Sequence, residues 1–167
     1  ISHDRLVKDK LRNANIRKIF GGSVLTGGPI RKTFAKRFLA VGDCAGQTKP
    51  TTGGGVITGG ICARIASKVI VQSLLMDDFS ESFLERYEKM WRGELGHEFL
   101  LMLKLRRLLN CLPDALIDKL VRTGSRRGLG DLIEKKGEMD LQSQLIKSVI
   151  RSPKIMLGFV LSFLGIS

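Results

Sequence analysis

The chain has 167 residues, enough for one core of ordinary size. Its 43% hydrophobic and 26% charged residues are those of a folded protein and exclude a disordered or collagen-like chain. A formal net charge of +12 at pH 7 directs attention to anionic partners.

In chain order, Ser2 to Asn15 reads as a helix with Leu6, Val7, Leu11 and Ala14 on one apolar side. Ile16 to Phe20 and Ser23 to Thr26 read as short extended segments separated by Gly21-Gly22. Phe38 to Val41 has the length and apolarity of a strand, and it delivers Gly42-Asp43. Lys49 and Pro50 follow, then Gly53, Gly54 and Gly55 at the point where a helix begins. Gly42 lets main chain pass close to a ligand, because it has no Cβ. Asp43 presents an acceptor suited to a ribityl hydroxyl. Amides at a helix start lack intrahelical partners, and with the helix dipole they favour an electron-rich ligand atom, whether phosphate or the pyrimidine edge of a reduced flavin.

At these residues the sequence resembles a known family. Gly42-Asp43-Cys44-Ala45-Gly46-Gln47-Thr48-Lys49-Pro50-Thr51-Thr52-Gly53-Gly54-Gly55 is similar to the second FAD-binding motif of the geranylgeranyl reductases, within the aromatic hydroxylase-like flavoproteins. Thr26-Gly27-Gly28-Pro29-Ile30 fits that family's approach to the Gly-Asp turn, and Arg86 to Gly96 is similar to its helical segment further on. The resemblance covers roughly residues 1–110 well and the remainder loosely. It implies FAD as cofactor, with Gly42, Asp43, Pro50, Gly53, Gly54, Gly55 and Val56 as cofactor-binding residues. It also implies reduction of carbon–carbon double bonds in geranylgeranyl chains of lipids. An isoprenoid lipid substrate and an electron donor, reduced nicotinamide or ferredoxin, would be the partners. No acid is assigned for the accompanying proton, so no catalytic residue is named. Another FAD-dependent oxidoreductase of the superfamily (an electron-transfer dehydrogenase or monooxygenase) and a non-catalytic basic membrane-binding module stay open as alternatives.

The first dinucleotide-binding turn, Gly-x-Gly-x-x-Gly with an acidic residue beyond it, does not occur in this sequence, and the chain begins with Ile1. The expectation is therefore the C-terminal portion of a longer flavoprotein. The fold class is α/β, or an α+β fragment. Residues 1–76 would form the last part of a Rossmann-like FAD-binding domain of the aromatic hydroxylase type, and residues 77–167 a mostly helical region.

A helix is expected from about Val56 to Leu75, where Gly59, Gly60, Ala63, Ala66 and Ser67 allow close approach of a sheet or a cofactor. Asp77, Asp78 and Ser80 are candidate caps for the next helix. There Phe83, Leu84, Tyr87, Met90, Trp91, Leu95 and Phe99 recur at helical spacing through about Leu109. Tyr87 and Trp91 read as core in that stripe, ahead of substrate stacking. Pro113-Asp114 ends one helix and starts another, with Leu116, Ile117, Leu120 and Val121 inward. Gly124 to Gly130 reads as a basic loop, followed by short helices over Asp131 to Lys136 and Asp140 to Arg151.

The tail from Pro153 to Ser167 is nearly uncharged after Lys154. A dozen helical residues reach about 18 Å, short of the roughly 30 Å hydrocarbon core of a bilayer. It reads as a buried terminal helix or an interfacial segment, with an apolar channel for the substrate expected nearby. Cys44, Cys62 and Cys111 form no disulfide framework and no Cys-x-x-Cys site, and with only His3 and His97 no metal is expected. Cys44 reads as a small packed side chain ahead of a redox-sensitive thiol. The basic residues are dispersed, and no nucleic-acid partner is expected. The setting is cytoplasmic, with peripheral contact to a membrane allowed by the charge.

Overall fold

The computed structural model describes residues 13–15, 17–136 and 142–163. The elements begin with a two-residue hairpin turn. Strand β1, Phe34–Ala35, pairs antiparallel with β2, Phe38–Leu39, in the register Phe34 opposite Leu39 and Ala35 opposite Phe38. Arg37 closes the turn at φ 60° and donates its N–H to the Phe79 carbonyl at 3.1 Å. Beyond β2, Ala40 still donates to the Thr33 carbonyl at 2.8 Å. The strand expected over Phe38 to Val41 is thus two residues long, and its partner β1 was not expected.

Among the described residues six α-helices follow: α1, Val56–Met76; α2, Glu81–Asn110; α3, Asp114–Arg126; α4, Leu129–Lys136; α5, Ser143–Ile150; and α6, Pro153–Phe163. In α1, Thr58, Cys62, Ile65, Ala66, Val69 and Ser73 are buried at helical spacing. By length and composition α1 could cross a membrane; here Cys62, Ile65, Ala66 and Val69 join the core shared with α2. Helix α2 starts where Ser80 Oγ accepts the Phe83 N–H at 3.2 Å, the expected cap. Its stripe Phe83, Leu84, Tyr87, Trp91, Leu95, Phe99 and Met102 is buried against α1 and the hairpin. Met90 is 45% exposed and stands outside that stripe.

The helical region beyond α2 packs on itself. Pro113 precedes α3, as its lack of an N–H allows, and Leu116, Ile117 and Leu120 are half-buried. Val121 is 60% exposed, because it falls on the outer side of α3. Helices α3 and α6 meet through glycines: a Cβ on Gly124 would lie 3.4 Å from Phe159 Cε1, and one on Gly158 2.9 Å from Thr123 Cγ2. Thr123 and Ser162 share a hydroxyl hydrogen bond of 2.9 Å at the same contact.

Arg17 to Phe20 and Ser23 to Thr26 belong to neither helix nor strand, and Ile19 and Phe20 are 84% and 80% exposed. Other expectations need correcting. Residues 124–130 are not a loop but the end of α3, a tight turn with Gly128 at φ 87°, and the start of α4. Gly124 there serves helix packing. Of the helix expected over Ser2 to Asn15, only residues 13–15 are described, and they are not helical. Asp140, at the expected start of the Asp140 to Arg151 helix, and residues 164–167 of the tail lie outside the described residues. Among the described residues the fold is mostly helical with one hairpin, and no parallel sheet is present.

Hairpin and α2 are bolted together by one buried carboxylate. Glu88 accepts from Thr33 N at 2.7 Å, Thr33 Oγ1 at 3.1 Å and Arg92 Nε at 2.7 Å. Burial alone would raise its pKa. The Thr33 N–H and the Arg92 guanidinium outweigh that and hold it below the usual carboxylate range. A folded pKa below the unfolded value of about 4.3 adds stability above that pH, and the gain is lost as pH falls through the folded pKa. Glu88→Gln is therefore expected to cost about 1–3 kcal/mol near neutral pH. In denaturant unfolding the penalty should shrink in acid, where the wild-type carboxylate protonates.

Candidate functional site

The Gly-Asp segment forms a 3-10 turn, Gly42–Ala45, closed by Gly46 in the left-handed conformation at φ 65°. Gly46 N donates to the Asp43 carbonyl at 2.9 Å, and Gln47 N to the Gly42 carbonyl at 3.0 Å. Gly42 itself has φ 77°, and a Cβ built there meets nothing within 4 Å. Open space beside a glycine turn is what close approach of a ligand requires. Thr26 to Ile30 runs alongside: Ile30 N donates to the Ala45 carbonyl at 3.1 Å, and the Gly28 carbonyl presses on Gly46.

From Thr48 the chain makes a second tight turn. Lys49 N donates to the Gly54 carbonyl at 2.8 Å, and Gly53 N to the Lys49 carbonyl at 2.8 Å, with Gly53 at φ 74°. Pro50 is buried inside this turn. Gly55 is the N-cap of α1, and no side chain caps the first turn there. A Cβ on Gly55 would come within 2.9 Å of Asp43 Oδ1. The exposed Asp43 carboxylate and the uncapped start of α1 thus lie side by side, with glycine between them. An acceptor for hydroxyls stands next to amide donors and a positive helix end, which fits the ribityl chain and pyrimidine edge of a flavin. Val56 is 89% exposed at the same end. Gly59 lies beneath the turn, where its Cβ would be 3.6 Å from Gly42 Cα, and Gly60 faces open space.

The expected site residues are therefore contiguous in space. Sequence reasoning missed what holds them. Gln47 is fully buried and meets the turn twice, through its backbone N–H and through Oε1, which accepts Gly42 N at 2.8 Å. Its carbonyl accepts Thr58 Oγ1 at 2.7 Å, which ties the turn to α1. Its Nε2 donates to Tyr87 Oη at 2.9 Å, and Tyr87 Oη donates to the Ala40 carbonyl at 3.1 Å. Burial pushes the Tyr87 hydroxyl up to about 12, so it stays protonated. Trp91 Nε1 donates to Thr33 Oγ1 at 3.0 Å. Tyr87 and Trp91 are fully buried, so the core reading holds and neither is free to stack a substrate. The available signal was that Tyr and Trp buried in an apolar stripe still need polar partners.

The helical region clamps the second turn from outside. Arg106 donates to the Pro50 carbonyl at 2.7 Å, and Thr51 Oγ1 donates to Gln142 Oε1 at 2.7 Å. Glu98 on α2 accepts Ser143 N at 3.0 Å, which fixes α5 beside this loop. Cys44 is exposed and its Sγ donates to the Val41 carbonyl at 3.2 Å. Burial, with Glu94 nearby, pushes the Cys62 thiol up to about 12, leaving it a packing group. Among the described residues no cluster of His, Cys, Asp and Glu could hold a metal.

A glycine-lined turn beside an uncapped helix start, braced by a helical region, defines the class of site. No family model matches the chain. It is 37% identical to an uncharacterized protein of Methanocaldococcus jannaschii over 95% of its length and 40% of that protein's. It is 32% identical to the digeranylgeranylglycerophospholipid reductase of the same organism, covering 92% of this chain and 37% of that enzyme. Among solved structures, a geranylgeranyl bacteriochlorophyll reductase-like protein from Thermoplasma acidophilum shares the fold with a TM-score of 0.63 at 20% identity, over 84% of this chain and 34% of that one. The chain is thus homologous to part of the archaeal digeranylgeranylglycerophospholipid reductases, and its resemblance to the geranylgeranyl reductase family extends over nearly all of its residues. It spans about two-fifths of the length of those curated relatives.

Proposed function

We propose that this chain supplies the flavin-end cradle of an FAD-dependent reductase that saturates carbon–carbon double bonds in geranylgeranyl chains of lipids. The observation that carries the reading is the Asp43 carboxylate beside the uncapped start of α1, with Gly55 leaving no side chain between them. Reductase names among relatives aligned over nearly the whole chain support it.

Asp43 would accept a ribityl hydroxyl, and the amides of Gly54, Gly55 and Val56 would face the pyrimidine edge. Gly42, Gly53 and Pro50 shape the two turns that set this spacing. Reduced FAD supplies hydride when bound, and an alkene accepts it only with a proton delivered alongside. Asp43 holds the cofactor in this scheme and is not the proton donor. The aromatic hydroxylase type of cofactor domain, with residues 1–76 as its last part and 77–167 as a helical region, belongs to the same proposal. So do an electron donor of the nicotinamide or ferredoxin kind and a cytoplasmic, peripherally membrane-bound location. On α6, exposed Leu157, Val160 and Phe163 share one side while Ile155, Gly158 and Ser162 are buried, an arrangement suited to interfacial contact.

The test is anaerobic incubation of the full-length, FAD-loaded protein with a geranylgeranyl glycerophospholipid and a chemical reductant. Products heavier by two hydrogens per double bond are expected by mass spectrometry. Bound, reducible flavin with no change in the lipid would favour another oxidoreductase of the superfamily.

A further inference from the structure

The cradle has two halves, the Gly42–Ala45 turn and the start of α1, and neither half fixes the distance between them by itself. Gln47 joins them. Its side-chain oxygen and backbone N–H hold Gly42, and its carbonyl holds Thr58 in the first turn of α1. The amide orientation is in turn set by α2: Nε2 can only donate, Tyr87 Oη receives it, and Tyr87 Oη stands 3.1 Å from the Ala40 carbonyl and 3.3 Å from Gln47 Oε1, the two acceptors for its one proton. These bonds link Gly42, Gln47, Tyr87 and Ala40, and so return to the segment between β2 and the turn. Gln47 and Tyr87 at their centre are fully buried, where an unmade hydrogen bond is costly and a complete network specifies one arrangement. Gly42 belongs to the cradle, while Tyr87 belongs to the helix that also carries Trp91, Glu98 and Arg106.

We infer that Gln47 and Tyr87 are positioning residues for the cofactor: they set the separation of the Asp43 carboxylate from the α1 amides and tie it to the placement of α2. This rests on the flavin reading of the site. It adds that the helical region acts on cofactor binding through two side chains that touch no cofactor.

Tyr87→Phe keeps the ring in the core and removes only the hydroxyl, so the core survives while Gln47 loses its orienting partner. The test is FAD titration of the full-length apoprotein in wild type, Tyr87→Phe, Asp43→Ala and the double variant, with thermal unfolding of each apoprotein alongside. Each single substitution should weaken FAD binding about tenfold. The double variant should bind no more than about twofold more weakly than Asp43→Ala alone, because the hydroxyl acts through the placement of that carboxylate. Visible circular dichroism of bound flavin should change in Tyr87→Phe. A merely structural tyrosine would lower the unfolding temperature equally in both backgrounds and leave affinity additive and the dichroism unaltered, which would overturn the inference. Loss of affinity in Asp43→Ala with none in Tyr87→Phe would overturn it too, while leaving the flavin reading intact. No loss in Asp43→Ala would bring down the flavin reading and this inference with it. Should Tyr87→Phe not fold, Gln47→Met, which keeps the side-chain volume and removes the bonds to Gly42 and Tyr87, is held to the same criteria.

Discussion

Trp91→Ala is expected to cost about 4 kcal/mol of stability, a large fraction of the roughly 5–15 kcal/mol that a folded domain possesses. Trp91 is fully buried among Cys62, Ile65, Tyr87 and Leu95, and its ring meets Phe99 edge-on at 6.2 Å. Truncation would remove that packing, leave a cavity between α1, α2 and the hairpin, and strip Thr33 Oγ1 of the indole N–H it accepts at 3.0 Å. Thr33 also bonds Glu88, so the loss reaches the bolt between hairpin and α2. Urea unfolding followed by circular dichroism measures it. A loss under about 1 kcal/mol would mean that this core is not what holds the chain together.

Gly46→Ala should cost about 3 kcal/mol, from two sources that add. At φ 65° a side chain is strained whatever the space around it. A Cβ there would also stand 2.5 Å from the Gly28 carbonyl oxygen and 3.1 Å from Pro29 Cα, and both are backbone atoms that cannot swing aside. Gly60→Ala is the contrasting substitution: its Cβ meets nothing within 4 Å inside α1, and helix propensity favours alanine by about 1 kcal/mol. Destabilisation by Gly46→Ala and stabilisation by Gly60→Ala are the expected pair in the same unfolding assay. Equal, small effects would contradict the turn geometry.

The long helices were legible in the sequence because their signals are local. The α2 stripe and the Ser80 cap follow from spacing and a hydroxyl before the helix, and α1 begins and ends within a residue of its expected bounds. The glycines of the cradle were legible because the Gly-Asp turn and the triglycine flank one helix start. What escaped depends on residues far apart in sequence. Strand β1 is two residues of ordinary composition made into a strand only by pairing. Gln47 was assigned no role within the motif, because its partner Tyr87 is forty positions away. Gly124 resembled a loop residue, and only the packing of α3 against α6 shows that its missing side chain makes room for Leu129 and Phe159. Clamping of Pro50 and Thr51 by Arg106 and Gln142 is likewise a tertiary fact with no local trace.

The central claim is that Asp43 and the start of α1 form a flavin cradle. Titration of the full-length apoprotein with FAD, wild type against Asp43→Ala, tests it most directly, because Asp43 is exposed and its loss leaves the core untouched. The account predicts stoichiometric binding by the wild type and about tenfold weaker binding by the variant, with unfolding behaviour unchanged. Equal affinity in the two proteins, or no flavin binding by either, would contradict it.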